Sequence, residues 1–455
     1  MSMSSVVGGS SLRLLTEYLG DCRFPIANKL YVTINGYHTE ARESREVAIA
    51  NINAFSLFLR SLVPADVAVK LACVSEDEFM AINESTVGMM YEEYFEVFAG
   101  SLYAGAREAM LNLNDIKLSH LSSIDAIPML SRLELDCLLS SKAHTALVVK
   151  ASPVLQYLSI GIRNASALLQ DDDGRDVTYL NLQYLQMHFC DRSYPEVDQT
   201  INDFVAFPVL KHLTLASVYP FADDVLFRGN SATLEYLNIP MNWGVISMLH
   251  KKGVFECDRK ALKAAIVREA DDHEDISRVS DTTMSKFLHC FACHAQYLSL
   301  PPSLLNYISI TESRHKNSFK NVQVLNMVSR VLSFYEILCL LETFPVLTKL
   351  QCGIAGLGPE FQHLSDEEVP DHIVANYGNT GKNLVIWCMN GYGEQSSKRL
   401  LEYTMLLALV CPRFCRADVY LGMIPDYNKC LAAALKSGPY SKYALQLSRL
   451  ITRKH

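Results

Sequence analysis

Several features that would assign this chain to a well-marked class are missing. No apolar run is long enough to span a bilayer; Met405–Cys411 is among the longest. The opening MSMSSVVGGSS lacks a basic stretch followed by a hydrophobic core, so it does not read as a secretory signal. Basic residues are not in excess: the formal charge is −8 and the pI about 5.9. That balance disfavours a general nucleic-acid or anionic-membrane binder, and neither partner is expected. No G-x-S-x-G or H-E-x-x-H motif occurs, and the histidines are scattered, so no nucleophile–base pair can be assembled from spacing. No enzymatic activity and no cofactor are expected.

What the chain does have is a phrase. Leu210, Leu213 and Leu215 follow Pro208 in FPVLKHLTLA, the spacing L-x-x-L-x-L. The same spacing recurs at Leu130/Leu133/Leu135, Leu155/Leu158/Ile160, Leu182/Leu185/Met187 and Leu234/Leu237/Ile239. It returns at Ala295/Leu298/Leu300, Val322/Leu325/Met327 and Leu347/Leu350/Cys352. Successive first positions are 25, 27, 28, 24, 61, 27 and 25 residues apart. All but one step lie within the 20–29 residues of a leucine-rich repeat. If each phrase is a strand, the residue between its last two apolar positions must face outward. Those residues are Glu134, Ser159, Gln186, Thr214, Asn238, Ser299, Asn326 and Gln351, and every one is polar. The expected fold is an irregular α/β leucine-rich-repeat solenoid, with parallel strands on a concave face and helices or turns on the convex face.

At 455 residues the chain is too long for one compact core, but a solenoid evades that limit because each repeat packs on its neighbours. Four segments are expected: degenerate repeats and a cap over 1–120, repeats over 121–243, a helical acidic insertion over 244–292, and repeats with a C-terminal cap over 293–455. Strands are expected at Lys29–Ile34 and Val67–Leu71, and helices at Ser44–Leu62 and Tyr94–Met110. In the first helix Val47, Ala50, Ala54, Leu57 and Phe58 form a candidate inward stripe. Residues 1–12 read as disordered and Glu196–Phe207 as a short connecting segment. The 61-residue step holds two helix candidates, Arg259–Glu269 and Thr283–Phe291, joined by the acidic ADDHEDISRVSD. Ser333–Phe344 reads as a helix N-capped by Ser333. Beyond Cys352 come loops at Gly353–Pro359 and Gly378–Asn383, strand candidates at Leu384–Cys388 and Ala417–Leu421, a helix over Ser397–Cys411 and a closing helical segment over Lys436–His455.

The proline-led phrases, and above all FPVLKHLTLASVYPFADDVLFRGN and ATLEYLNIP (Phe207–Asn230, Ala232–Pro240), resemble the intracellular repeats of F-box proteins, especially the diverged fungal kind. The resemblance covers roughly Leu30 to Leu350. It implies repeats that hold a degradation target, and a link to the Skp adaptor of a cullin ubiquitin ligase. An F-box itself is not recognisable, since a strand candidate begins at Lys29. The Asn or Cys usual three residues after the last core leucine appears only at Cys190 and Asn242. Thirteen cysteines without an export signal read as reduced thiols in cytoplasm or nucleus.

Two classes of site compete. One is the outward surface: Arg132, Tyr157, Tyr184, His212, Tyr236, Tyr297 and Lys349 each precede a core leucine and should line up across the strands as a protein-binding face. Tyrosine and arginine suit that role, burying area while keeping a hydrogen bond. The other is His289-Cys290-Phe291-Ala292-Cys293-His294, a CxxCH with the spacing for covalent c-type haem, whose soft ligands, with Cys257 and His273, could alternatively hold zinc in a metal-binding or enzymatic protein. The bland reading of that stretch is a helix end that leads into the next strand, and no metal is expected. Gly378–Lys382 lacks the first glycine and the closing Ser or Thr of a phosphate loop, and Asp171–Asp176 lacks the closing Glu of a calcium loop.

Overall fold

The computed structural model describes residues 2–4, 30–35, 50, 53, 54, 57, 67–72, 108–112, 130–139, 142–162, 166–171, 173–189, 206–216, 232–241, 246–247, 250, 253–256, 259–269, 279–389, 397–419 and 427–450. It divides into two units, Met1–Leu234 and Glu235–His455. The expected segment Glu196–Phe207 falls almost wholly outside the described residues, as do Cys257, His273, Cys190 and Asn242.

In unit 1 the strands are β1 (Ser2–Ser4), β2 (Leu30–Asn35), β3 (Val67–Ala72), β4 (Glu108–Asn112), β5 (Arg132–Leu139), β6 (Tyr157–Ile162), β7 (Tyr184–Phe189) and β8 (His212–Leu215). Each pairs with the next, always parallel. In unit 2 the same pattern runs through β9 (Tyr236–Met241), β10 (Ala264–Glu269), β11 (Tyr297–Ser299), β12 (Val324–Ser333), β13 (Lys349–Gly356), β14 (Ile386–Met389) and β15 (Arg416–Val419). Parallel strands in chain order force a return segment after each one. In unit 1 these include α1 (Lys142–Ala151) and α2 (Ser166–Leu169). In unit 2 they include α3 (Asp281–Ala292), α4 (Leu305–Arg314), α5 (Phe334–Thr343), α6 (Val369–Tyr377) and α7 (Ser397–Val410), followed by α8 (Tyr427–Lys436) and α9 (Ala444–Leu447). The fold is an α/β solenoid of leucine-rich-repeat type.

The phrase residues build the core. All twenty-four positions of the eight phrases are buried, none more than 3 % exposed. Each buried leucine contributes about 1.5–3 kcal/mol relative to an exposed one. The polar residues between them sit half-exposed on the opposite side of the strands, as a period of two requires. At the entries of β5 to β7, β9 and β10 one carbonyl accepts two N–H groups from the next repeat. Ser131 receives Gln156 and Tyr157, Gln156 receives Gln183 and Tyr184, and Gln183 receives Lys211 and His212. In unit 2 Glu235 receives Lys263 and Ala264, and Lys263 receives Gln296 and Tyr297.

Side chains stitch the repeats as well. Asn181 Nδ2 donates to the Pro153 carbonyl at 2.6 Å, Asn321 Nδ2 to Cys293 at 2.7 Å and Asn383 Nδ2 to Pro345 at 2.9 Å. Thr233 Oγ1 donates to the Leu210 carbonyl at 2.9 Å. Asn181, Thr233 and Asn321 stand immediately before a phrase's first apolar residue, and Asn383 stands likewise before buried Leu384. This polar position serves where the asparagine expected after the strand is mostly missing.

Several expectations need correction. The long step hides a repeat: Leu262, Ala265 and Val267 are buried and β10 fills Ala264–Glu269, so the first expected helix of the 244–292 insertion is a strand. The 61-residue step therefore resolves into 28 and 33. Small and β-branched residues replace the leucines there, and outward Ala264 and Ile266 erase the polar alternation. The expected helix Tyr94–Met110 cannot reach its end, because β4 starts at Glu108. In the first helix Ala50, Ala54 and Leu57 are exposed, Leu57 by 66 %. The rest of that expected stripe, Val47 and Phe58, lies outside the described residues. Ser2–Ser4, expected to be disordered, pairs as β1 with β2. β13 continues to Gly356, because Gly353 and Ile354 take partners on β12 despite the glycines. The closing segment expected over Lys436–His455 is helical from Ser441 to Leu450, but as short 3-10 turns on either side of α9 rather than one continuous helix.

Ser333 caps α5 in a complete capping box. Its Oγ accepts Glu336 N at 3.2 Å, and Glu336 Oε2 accepts Ser333 N at 2.7 Å. At the other end of unit 2, Arg449 donates to the carbonyls of Ala408, Cys411 and Pro412, a cationic cap on α7.

Candidate functional site

The expected surface residues fall on one register line in each unit. In unit 1 Glu108, Arg132, Tyr157, Tyr184 and His212 are successive partners across β4 to β8. Four of them form a continuous ladder. The Arg132 guanidinium lies 3.7 Å from the centre of the Tyr157 ring. Tyr157 stacks on Tyr184 at 4.2 Å with 9° between the planes, and Tyr184 on His212 at 5.9 Å and 26°. Parallel strands about 4.8 Å apart set rings at this spacing wherever neighbouring repeats place aromatics at the same position.

The next outward line supports the ladder. Glu134 is ion-paired with Arg132, and the Tyr184 hydroxyl donates to Gln186 Oε1 at 3.1 Å. Burial, with the neighbouring Tyr184 and Glu134, pushes the Tyr157 phenol up to about 12, against the opposing pull of Arg132. It is therefore a neutral hydrogen-bonding group at physiological pH.

In unit 2 the corresponding line reads Tyr236, Ala264, Tyr297, Val324, Lys349, Ile386 and Arg416. Tyr236 and Tyr297 are separated by the methyl group of Ala264. The Tyr297 hydroxyl accepts Asn326 Nδ2 at 3.1 Å. Lys349 follows Val324, two repeats beyond β11's tyrosine. The seven expected residues are thus brought onto one line within each unit, and those of unit 1 join in a stack.

The CxxCH stretch is occupied by packing. Cys290 is buried on α3, and its Sγ accepts the Nε of buried Arg259 at 3.3 Å. The same guanidinium sits 5.4 Å from the Phe291 ring. His289 Nδ1 lies 2.9 Å from Ser318 Oγ, and its ring stacks on His315 at 4.6 Å. The Ser318 hydroxyl donates to the His315 carbonyl, so His289 Nδ1 is the donor to Ser318. Burial, reinforced by His315 and His294, lowers the His289 pKa below the usual imidazole range, with Glu312 opposing. Among the described residues no group of three His, Cys, Asp or Glu is arranged to hold a metal ion. Gly381 of the phosphate-loop-like stretch is buried, and a side chain there would collide with Cys411 Sγ. That glycine serves close packing. In the calcium-loop-like stretch Gly174 N donates to the Asp171 carbonyl, Gly174 has φ 75°, and Asp173 is paired to Arg175 at 3.1 Å. No helix among the described residues is long and apolar enough to cross a membrane.

No family model matches the chain, and no curated protein matches it. Solved structures similar to it include the leucine-rich-repeat-containing protein LegL7 from Legionella pneumophila, at 12% identity over 67% of this chain and 92% of that one, with a TM-score of 0.36. A second is the complex of Rad7 and Elc1 in yeast, at 13% identity over 79% of this chain and 90% of that one, with a TM-score of 0.37. A third is the TLR13–ssRNA13 complex, at 12% identity over 80% of this chain and 46% of that one, with a TM-score of 0.36.

Proposed function

We propose that this chain is a non-enzymatic scaffold whose outward strand face binds a protein. The observation that carries the reading is the ladder Arg132–Tyr157–Tyr184–His212. Its side chains are fixed by one another before any partner arrives, so little rotamer entropy remains to be lost on binding. Tyrosine and arginine at such a position are the residue types that dominate protein interfaces.

The stacking also argues against single-stranded nucleic acid. Nucleobases bind aromatic side chains through exposed ring faces. In the ladder Tyr157 and Tyr184 turn their faces to each other, which leaves edges and hydroxyls outward. The finer reading is a substrate receptor for cullin-dependent ubiquitination in cytoplasm or nucleus, which the resemblance of the repeat phrases to F-box proteins suggests.

Affinity purification with mass spectrometry from the native cell tests both levels. Wild type is compared with a variant carrying Tyr157, Tyr184, Tyr236 and Tyr297 all changed to Ala. Partners lost only from the variant support the scaffold reading. Skp and cullin subunits retained by both support the receptor role. If no partner depends on the tyrosines, the face is not the binding surface. If Skp and cullin are absent from both, the ligase role is wrong.

A further inference from the structure

We infer that the unit 1 ladder recognises an extended segment of a partner protein that carries two carboxylates about four residues apart. The inference rests on the reading of the strand face as a protein-binding surface and adds the chemistry of what it binds.

The two ends of the ladder are cationic. At the β5 end Arg132 and Glu134 are paired, but unequally presented: the arginine side chain is 41% exposed and the glutamate 18%. Solvent meets the guanidinium, which has donors to spare beyond one carboxylate partner. At the β8 end Lys211 is exposed directly beside half-exposed His212. Between the ends lie the two phenols. Tyr157 stays protonated and adds no negative charge, and the Tyr184 hydroxyl donates to Gln186.

Beyond Arg132 the character reverses, since Glu108 of β4 is its register partner on that side. A carboxylate-bearing segment is thus turned back at the β5 end, and the ladder itself spans β5 to β8. That span is three inter-strand steps of about 4.8 Å, or about 14 Å. An extended chain rises about 3.3–3.6 Å per residue, so about four residues cover it. Residues i and i+4 of an extended chain also point to the same side. One carboxylate would meet Arg132 and the other Lys211 and His212, while the backbone between them crosses the tyrosine edges.

The probe is a phage-displayed library of random 12-residue peptides, panned on the full chain. Enriched peptides are expected to carry Asp or Glu pairs three to five residues apart. A synthetic copy of the strongest binder is expected to lose about fivefold in affinity on Arg132→Gln, and about as much on Lys211→Gln, as exposed charge-assisted contacts do. Tyr297→Ala in unit 2 is expected to leave its binding unchanged, and matched thermal melts would exclude unfolding. Enriched peptides without paired carboxylates, or undisturbed by Arg132→Gln, overturn the inference. Peptides that depend on Tyr297 rather than Arg132 overturn it while sparing the broader reading of the strand face. Failure to enrich any peptide on wild type counts against both.

Discussion

The two units place the same position of the same phrase on the same side of a parallel sheet, yet only one builds a continuous structure from it. In unit 1 the four successive residues are Arg, Tyr, Tyr and His, and each touches the next. In unit 2 Tyr236 and Tyr297 occupy equivalent positions, but Ala264 stands between them and Val324 follows. A repeat architecture supplies register without effort. Whether register becomes a recognition surface depends on having suitable side chains on consecutive repeats, because stacking reaches one strand spacing and no further. A tyrosine is worth more beside another tyrosine than alone.

The largest effects that probe this comparison concern what the units share. Leu185→Ala under the ladder and Leu298→Ala under Tyr297 remove fully buried phrase residues and should each cost about 2–5 kcal/mol in denaturant titrations. Similar costs would show that the units are equally well packed and differ only on their outer face.

The next effect should separate them. Tyr184→Ala removes two stacking contacts at once and is expected to destabilise the chain by about 1–2 kcal/mol, whereas Tyr297→Ala, with no ring on either side in the sheet, should cost less than half of that. Equal losses would mean that the ladder adds nothing beyond burial.

A smaller effect belongs to unit 2. His289 and His315 stack with lowered pKa values, His289 by burial, His315 and His294, and His315 by burial, Lys286 and Arg314. Glu312 is the facing carboxylate, and both its oxygens already accept N–H groups, from Asn317 and Ser318. A histidine whose folded pKa lies below its unfolded value binds more protons when unfolded. Stability from this pair is therefore present above the ordinary imidazole pKa of about 6.5 and is lost as pH falls below it. Thermal melts should drop between pH 7.5 and 5.5, and His315→Gln should flatten that dependence. An unchanged slope would remove the pair as its source.

The smallest effect runs the other way. Ala264→Tyr should join Tyr236 to Tyr297 and recover about 0.5–1 kcal/mol of stacking, visible as a raised melting temperature. A lowered one would show that the line in unit 2 is closed to a ring.

Much of this was legible in the sequence. The leucine spacing located the core positions, and the phrase position put Arg132, Tyr157, Tyr184 and His212 in a single line. The spacing did not say which of the seven side chains would touch. β10 was illegible because Ala265 and Val267 stand where leucines do elsewhere, and because Ala264 and Ile266 face outward without polarity. The stitching role of Asn181, Asn321 and Asn383 was readable in principle, since each immediately precedes a buried apolar residue at the entry to a strand. Cys290 and His289 looked like ligands in sequence; their partners Arg259 and Ser318 come from distant positions that spacing does not reveal.

The most direct test of the account is site-specific photo-crosslinking in the native cell. A photoreactive amino acid is placed at Ser159, beside the ladder on β6, and in a parallel variant at exposed Glu342 on α5. The account predicts a discrete protein adduct from Ser159, abolished by Tyr157→Ala with Tyr184→Ala, and none of comparable yield from Glu342. Adducts from Glu342 alone, or a Ser159 adduct indifferent to the tyrosines, would contradict it.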